Sequence, residues 1–318
     1  MKQITLASSG FEKHAKTTKR GVFLSEMDRV VPWALLCALI QPVYPKGDNG
    51  RPPVGVERML RIYFLQAWFN LSDPAVEEAL YDIEAMRRFV GIDLGLEAAP
   101  DETTVCKFRH LLERHALGEA IFATVNAHLK ASGLRLSTGT IVDATIISAP
   151  SSTKNQSGTR DPSMKQTRKG QQWYFGMKAH IGVDSRSKLI HSVAATGANV
   201  HDATVLPELL HGDETRVYGD QAYRGQTDLI GFHAPKAKDF TNRRYRHRGV
   251  VNEIERMKNR TKSKIRAKVE HVFAVIKLKF GFTKVRYRGL AKNGHRLLVT
   301  AALANLFMAR RTLIALQG

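Results

Sequence analysis

Three acidic residues lie in contexts where an acid can do chemistry. Asp143 interrupts Thr140, Ile141, Val142, Ala144, Thr145, Ile146 and Ile147, a β-branched run that reads as a central strand. A carboxylate buried there needs a metal, a cation or several hydrogen bonds. On an edge strand or in a turn it needs none, and the run alone leaves both readings open. Asp220 follows Val217, Tyr218 and Gly219 at the end of a short strand, where Gly219 permits a close backbone approach. Strand ends are where open α/β sheets place ligands, although Gly-Asp is also an ordinary turn pair. Glu270 lies in a helix-like stretch, four residues after Arg266 and seven before Lys277, so all three share one side of a helix. That spacing fits a surface ion-pair ladder worth roughly a few tenths of a kcal/mol per pair. It fits equally an acid at a metal site between two cations that hold phosphates. Val269, Val272, Phe273 and Ile276 pin this helix against a core.

Three carboxylates in basic surroundings suit two-metal phosphoryl transfer. Mg²⁺ takes hard oxygen ligands in near-octahedral geometry and leaves room for water and phosphate oxygens. One ion activates the attacking water or 3′-hydroxyl and a second stabilises the leaving oxygen, so no His or Lys base is required. His180, His191, His201, His271 and His295 form no HExxH or comparable motif, and His271 points about 100° away from Glu270 around the helix.

The charge balance agrees with a polyanionic substrate. Lys and Arg number 49 against 29 Asp and Glu, a formal +20 over 318 residues, and most of the excess lies in the second half. Between Lys236 and Arg288 there are 18 Lys and Arg but only four acids. Such an excess costs self-repulsion, which a nucleic acid relieves; a solvated basic face or an anionic membrane would give the same composition. Arg243, Arg244, Arg246 and Arg248 form a dense cluster. Trp173 and Tyr174, beside Arg168 and Lys169, are placed either to stack on distorted bases or to pack at a strand entrance. Cys37 and Cys106 lack zinc-site spacing and read as core or semi-buried thiols. With neither a signal-peptide pattern nor an apolar run of membrane-spanning length, the expectation is a cytoplasmic protein with no membrane partner.

The elements that must position these residues fall into two regions. Residues 1–132 read as helical: an amphipathic piece from Phe23 to Leu39, a stripe of Met59, Leu60, Tyr63, Phe64, Ala67 and Trp68, a segment from Asp73 to Val90 opened by Asp-Pro with Asp73 as its cap, and another after Asp101. The run Lys107 to Arg114 offers cations on one of these helices. Residues 133–318 read as a mixed α/β domain. It comprises the Asp143 strand, a solvent-facing loop from Ser151 to Gln172, a hairpin of Met177–Val183 and Leu189–Thr196, and a short helix from Asp202 to Leu210 capped by Asp202 or Asn199. There follow the Asp220 strand, an unbroken helix from about Val250 to Leu278 and a buried helix through Leu297 to Leu306.

These residues carry a family resemblance. Arg266, Glu270 and Lys277 fit the motif Y-x2-R-x3-E-x6-K without a gap, with Ser263 at the Tyr position. Ile141-Val142-Asp143-Ala144-Thr145 and Tyr218-Gly219-Asp220-Gln221-Ala222-Tyr223 match the usual contexts of the first and second acids. The chain resembles, over roughly residues 50–310, the DDE transposases of bacterial insertion sequences, in the insertion-sequence four/five type group. The resemblance implies an RNase H-like catalytic domain after a helical region for DNA end recognition. It also implies catalysis and metal binding by Asp143, Asp220 and Glu270, two Mg²⁺ ions replaceable by Mn²⁺, and transposition through terminal inverted repeats. Expected partners are element ends and target DNA, with at least a homodimer on DNA, in the bacterial cytoplasm at the nucleoid. Arg266, Lys277, Arg243, Arg244, Arg246, Arg248, Lys169 and Trp173 are the expected DNA contacts. An RNase H-like nuclease that joins nothing would use the same acids, and a non-catalytic DNA-binding protein would leave them as ordinary residues.

Overall fold

The computed structural model describes residues 16–47, 52–134, 139–156, 158–248 and 250–317. The first region is helical: α1 (Lys19–Val30), α2 (Trp33–Ile40), α3 (Val56–Phe69), α4 (Asp73–Asp82), α5 (Glu84–Val90), α6 (Glu102–Arg114) and α7 (Leu117–Ala131). Helix α3 buries ten of its residues, Met59, Leu60, Phe64 and Trp68 among them, and is the central rod of this region. Phe23, Trp33, Phe64, Trp68 and Phe89 surround it with ring centroids 5.5–5.9 Å apart, a spacing at which edge contacts add to burial.

Two local expectations shift here. The cap of α4 is Ser72, whose Oγ accepts from Ala75 N–H at 3.2 Å. Asp73 is thereby freed to pair with Arg109 at 2.8 Å, and Arg109 also meets Glu113 at 3.1 Å. Arg109 is buried, so the basic run on α6 gives one of its cations to the core rather than to a surface.

Strands β1 (Thr140–Ser148), β2 (Lys165–Lys169), β3 (Gln172–Asp184), β4 (Ile190–Gly197), β5 (Arg216–Tyr218) and β6 (Lys238–Asp239) form one mixed sheet. Its main order is β4-β3-β1-β5-β6, antiparallel across β4, β3 and β1 and parallel across β1, β5 and β6. Three antiparallel strands followed by two parallel ones, with the first strand central, is the RNase H-like arrangement. The Ser151–Gln172 stretch is not all loop: β2 lies within it and pairs with the first residues of β3. At the β3–β4 turn, Asp184 accepts from Arg186 N–H, Ser187 N–H and the Ser187 hydroxyl.

After α8 (Thr227–His233) and the small β7 (Arg246–His247) and β8 (Val250–Val251) hairpin come α9 (Glu253–Arg266) and α10 (Lys268–Ala274), which continues into a π turn, Val275–Lys279. The expected unbroken helix is broken at Ala267. Its two neighbours are pulled to separate anchors, Arg266 to Asp143 at 3.0 Å and Lys268 to Ser185 O at 2.6 Å. Helix α11 (Leu290–Gln317) packs on α7, β4, α1 and α3, and one apolar core runs from Phe23 to Leu313 through both regions. The joint is polar at one point. Buried Asn305 accepts from Ile190 N–H at 2.8 Å and donates to Ile190 O and to Asn126 Oδ1. Helix α11 is also long and apolar enough to cross a membrane, with 61% of its most apolar window buried inside the protein.

Candidate active site

Strands β1 and β5 are paired only through Thr140↔Val217 and Ile141↔Tyr218. Beyond Tyr218 the chain turns away while β1 continues to Ser148, held on its other side by β3. A gap therefore opens beside β1 at Asp143. Gly219 makes the turn possible by close approach: a Cβ there would stand 3.1 Å from Val142 Cγ2 and from Tyr223 Cβ. Asp220 begins the next turn, Gln221–Tyr223, its Oδ1 accepting from Ala222 N–H at 2.8 Å.

Asp143 is the electrostatic centre of this gap. Its Oδ1 accepts from Ala144 N–H at 2.8 Å and its Oδ2 faces Arg266 Nη1 at 3.0 Å. Burial nevertheless pushes its pKa from 3.8 up to about 6. The Ala144 hydrogen bond and the Arg266 charge pull it down, while the Asp220 and Asp202 charges push it up again. Desolvation thus outweighs the ion pair, and one guanidinium does not neutralise this group of carboxylates. The side chain of Tyr223 is wholly buried below the gap, and its hydroxyl has no hydrogen-bond partner. Burial and the charges of Asp202, Asp143 and Asp220 raise the Tyr223 pKa. Asp143 and Asp220, within electrostatic reach of each other, offer the hard oxygen donors that a divalent cation takes.

Glu270 is placed differently. It is exposed on α10, on the segment held against β1 by Arg266 at one end and by Lys277, whose Nζ donates to Ile146 O at 2.7 Å, at the other. Asp143 and Asp220 are brought together, but among the described residues no group of three or more His, Cys, Asp or Glu side chains is gathered closely enough to hold an ion. Arg266 and Lys277 point into the protein, to Asp143 and a main-chain carbonyl, instead of standing free for phosphates.

The basic rim lies beside the gap. Gln221, Asn242, Tyr245, Arg256, Arg260 and Ser263 help line a cavity of about 570 Å³. Ser263, at the motif's Tyr position, accepts from Asn242 Nδ2 at 3.1 Å, and Tyr245 from the β7–β8 hairpin supplies an aromatic ring to the same cavity. Arg243, Arg244, Arg246, Arg248 and Lys169 are exposed, as is Trp173 at 64%.

Residues 135–306, more than half of the chain, match the family described as "Transposase DDE domain". The chain belongs to that transposase family. It is therefore an enzyme of DNA transposition, a phosphoryl-transfer catalyst. Residues 11–111 match a second family, "Transposase domain (DUF772)", so both regions of this transposase have transposase relatives. Among solved structures, a piggyBac transposase synaptic complex with hairpin DNA is similar, with a TM-score of 0.49 and 11% identity over 93% of this chain and 73% of that one.

Two residues that influence Asp143 or Asp220 electrostatically are not site candidates in the sequence reading. Asp202 was expected to cap its helix, but the element is a 3₁₀ helix, Asp202–Leu209, and His201 caps it by accepting from Ala203 N–H at 3.3 Å. Asp202 is left to pair with Lys178 at 2.9 Å. Tyr223 stands in the sequence reading only as the last residue of the second acid's motif context. The available signal was alternation: Lys178 and His180 lie two apart on β3 and so face the same side, toward Asp202.

Proposed function

We propose that this transposase binds the terminal inverted repeats of an insertion sequence and, with divalent cations at Asp143, Asp220 and Glu270, cleaves the element ends and joins them to target DNA. The observation that carries the reading is the gap between β1 and β5. There Asp143 feels the Asp220 charge, and burial pushes its pKa up to about 6 despite an Arg266 ion pair at 3.0 Å. A cation offsets the desolvation of such a carboxylate, and in this reading Mg²⁺, or Mn²⁺ in its place, is that cation. Glu270 is the third carboxylate of this reading, on the α10 segment held over β1. When bound, two such ions lower the pKa of the attacking hydroxyl and stabilise the leaving oxygen.

The remaining residues position DNA. Arg243, Arg244, Arg246 and Arg248, with Arg256 and Arg260 on α9, neutralise phosphates. Lys169 and Trp173 extend that contact at the β2–β3 hairpin, the ring offering a stacking face. In this reading Arg266 and Lys277 hold the catalytic helix and Asp143 in place, and reach phosphates only through that placement. The helical region recognises the element ends, a homodimer holds two ends together, and the setting is the bacterial cytoplasm at the nucleoid. The test is incubation of a pre-cleaved inverted-repeat end with target DNA and Mg²⁺. Joined products are expected; hydrolysis alone, under conditions of stable end binding, would favour a nuclease that joins nothing.

A further inference from the structure

Helix α9 carries Arg256 and Arg260 of the rim, yet its middle is not seated by an apolar face. Among the described residues of α9, Asn259 alone is buried, while Ile254 and Met257 are 69% and 70% exposed. A helix of this length ordinarily docks through an apolar stripe. Here the middle turns are held by polar contacts to one short segment, Thr241–Arg243. Asn259 Oδ1 accepts from Arg243 N–H at 3.1 Å, and its Nδ2 donates to Arg243 O at 2.6 Å. Lys262 Nζ donates to Thr241 O at 3.1 Å, and Ser263 Oγ accepts from Asn242 Nδ2 at 3.1 Å. Positions 259, 262 and 263 are three and four residues apart and so share one helix face.

The other side of that segment leads to Asp220. Beyond β6, Phe240 N–H donates to Val217 O at 2.8 Å and Asn242 N–H to Gly219 O at 3.0 Å, so the ladder between β5 and β6 runs on to the residue before Asp220. In the other direction the segment continues into the exposed Arg244, Arg246 and Arg248. Asp220 is therefore joined to the rim by two short steps: Gly219 to Asn242, then Asn242 and Arg243 to α9. Hydrogen bonds fix direction as well as distance, whereas apolar contacts are non-directional. Asn259 meets both main-chain groups of Arg243 as a neighbouring strand would, which no apolar side chain can do.

We propose that Asn259 and Ser263 are positioning residues of this transposase: they clamp Asn242 and Arg243 to α9, and so fix the phosphate-binding rim relative to Asp220. This rests on the reading of Asp220 as a catalytic acid and of the rim as a DNA surface. Both residues act through the segment that they hold. The clamp sets where bound phosphates lie, and a displacement of about 1 Å away from the chemistry can cost a rate factor of about 100. It also gives Ser263, at the motif's Tyr position, a task that its hydroxyl performs.

Single-turnover cleavage of an inverted-repeat end by the full chain, in Mg²⁺ and at saturating DNA, reads this placement. Loss of folded protein lowers the amplitude of that reaction and leaves its rate constant alone. Asn259→Ala is expected to lower the rate constant about 10-fold. The slope of log affinity against log salt should stay at its wild-type value, because every arginine remains. Ser263→Ala is expected to lower the rate constant about 3-fold, the worth of one neutral hydrogen bond, and Ser263→Thr, which keeps the hydroxyl, to restore it. If Asn259→Ala fails to fold, the two Ser263 variants decide by the same measurement. Wild-type rate constants in these variants, with cleavage lost in Asp220→Asn and a shallower salt slope in Arg256→Ala with Arg260→Ala, would overturn this inference alone. Cleavage by Asp220→Asn, or an unchanged slope in the double arginine variant, would overturn the reading beneath it.

Discussion

The gap between β1 and β5 and the basic rim of α9 with the β7–β8 hairpin lie side by side, yet they are built on opposite terms. In the gap, burial desolvates Asp143 and pushes its pKa up to about 6, with smaller additions from the Asp220 and Asp202 charges. On the rim, arginines stand in water with loose local partners, such as Arg256 and Glu253 at 3.2 Å with both side chains more than 60% exposed. Exposed pairs of this kind contribute roughly 0–1 kcal/mol. The comparison teaches that the fold bears a desolvation cost at Asp143 and almost none at the exposed arginines of the rim.

The sharpest way to break that comparison is Asp143→Asn. Loss of an ion ligand at the reacting centre is worth several kcal/mol of transition-state stabilisation, so strand cleavage is expected to fall by about 10³-fold or more. Stability should move the other way. The folded pKa of about 6 lies above the ordinary 3.8, so the fold favours the protonated acid, and wild-type stability declines as pH rises between those values and is then level. Relative to wild type, Asp143→Asn should gain up to about 3 kcal/mol across that window, less whatever Arg266 loses with its partner. Thermal unfolding with a chelator present, from pH 4 to pH 7, measures this; a variant less stable than wild type at pH 7 would deny that the carboxylate is held at a cost.

The joint between the regions offers a middle-sized effect. Asn305→Ala strands the Ile190 N–H and the Asn126 Oδ1, while Ile190 O keeps the Asn126 amide at 3.2 Å. Losses of about 1–3 kcal/mol for each such group are expected as a lowered denaturation midpoint with the same slope. A fall in the slope instead would show that the helical and sheet regions unfold separately.

The smallest effect belongs to the rim. Arg256→Ala with Arg260→Ala should leave stability within about 0.5 kcal/mol. DNA binding should weaken similarly for all sequences, and the slope of log affinity against log salt should become shallower by about 2. An unchanged slope would remove α9 from the DNA surface.

Much of this was legible in residue types. Asp143 stood out as an acid inside a β-branched strand and Asp220 as one at a strand end after Tyr218-Gly219, although each also had an ordinary reading. The strand, hairpin, short helix and second strand in succession marked a mixed α/β domain, and only the family resemblance implied its RNase H-like order. The breaks at Ala267 and at the Val275–Lys279 π turn were not legible. They are set by tertiary anchors, Arg266 to Asp143 and Lys277 to Ile146 O, in a segment whose local sequence is helical throughout. Asp202 was hidden for a related reason: next to His201 at a helix start, an Asp is an ordinary cap, and only the fold shows that His201 took that role. Arg109 looked like a surface cation because its partner Asp73 is distant in sequence and was itself expected to be a cap.

The central claim is that Asp143 and Asp220, with Glu270, carry metal-dependent phosphoryl transfer. Its most direct test is Asp220→Asn, measured side by side with wild type for binding to an inverted-repeat end and for joining of that end to target DNA in Mg²⁺. Retained binding with no cleaved or joined product is the expected result; joined product at the wild-type level would contradict the account.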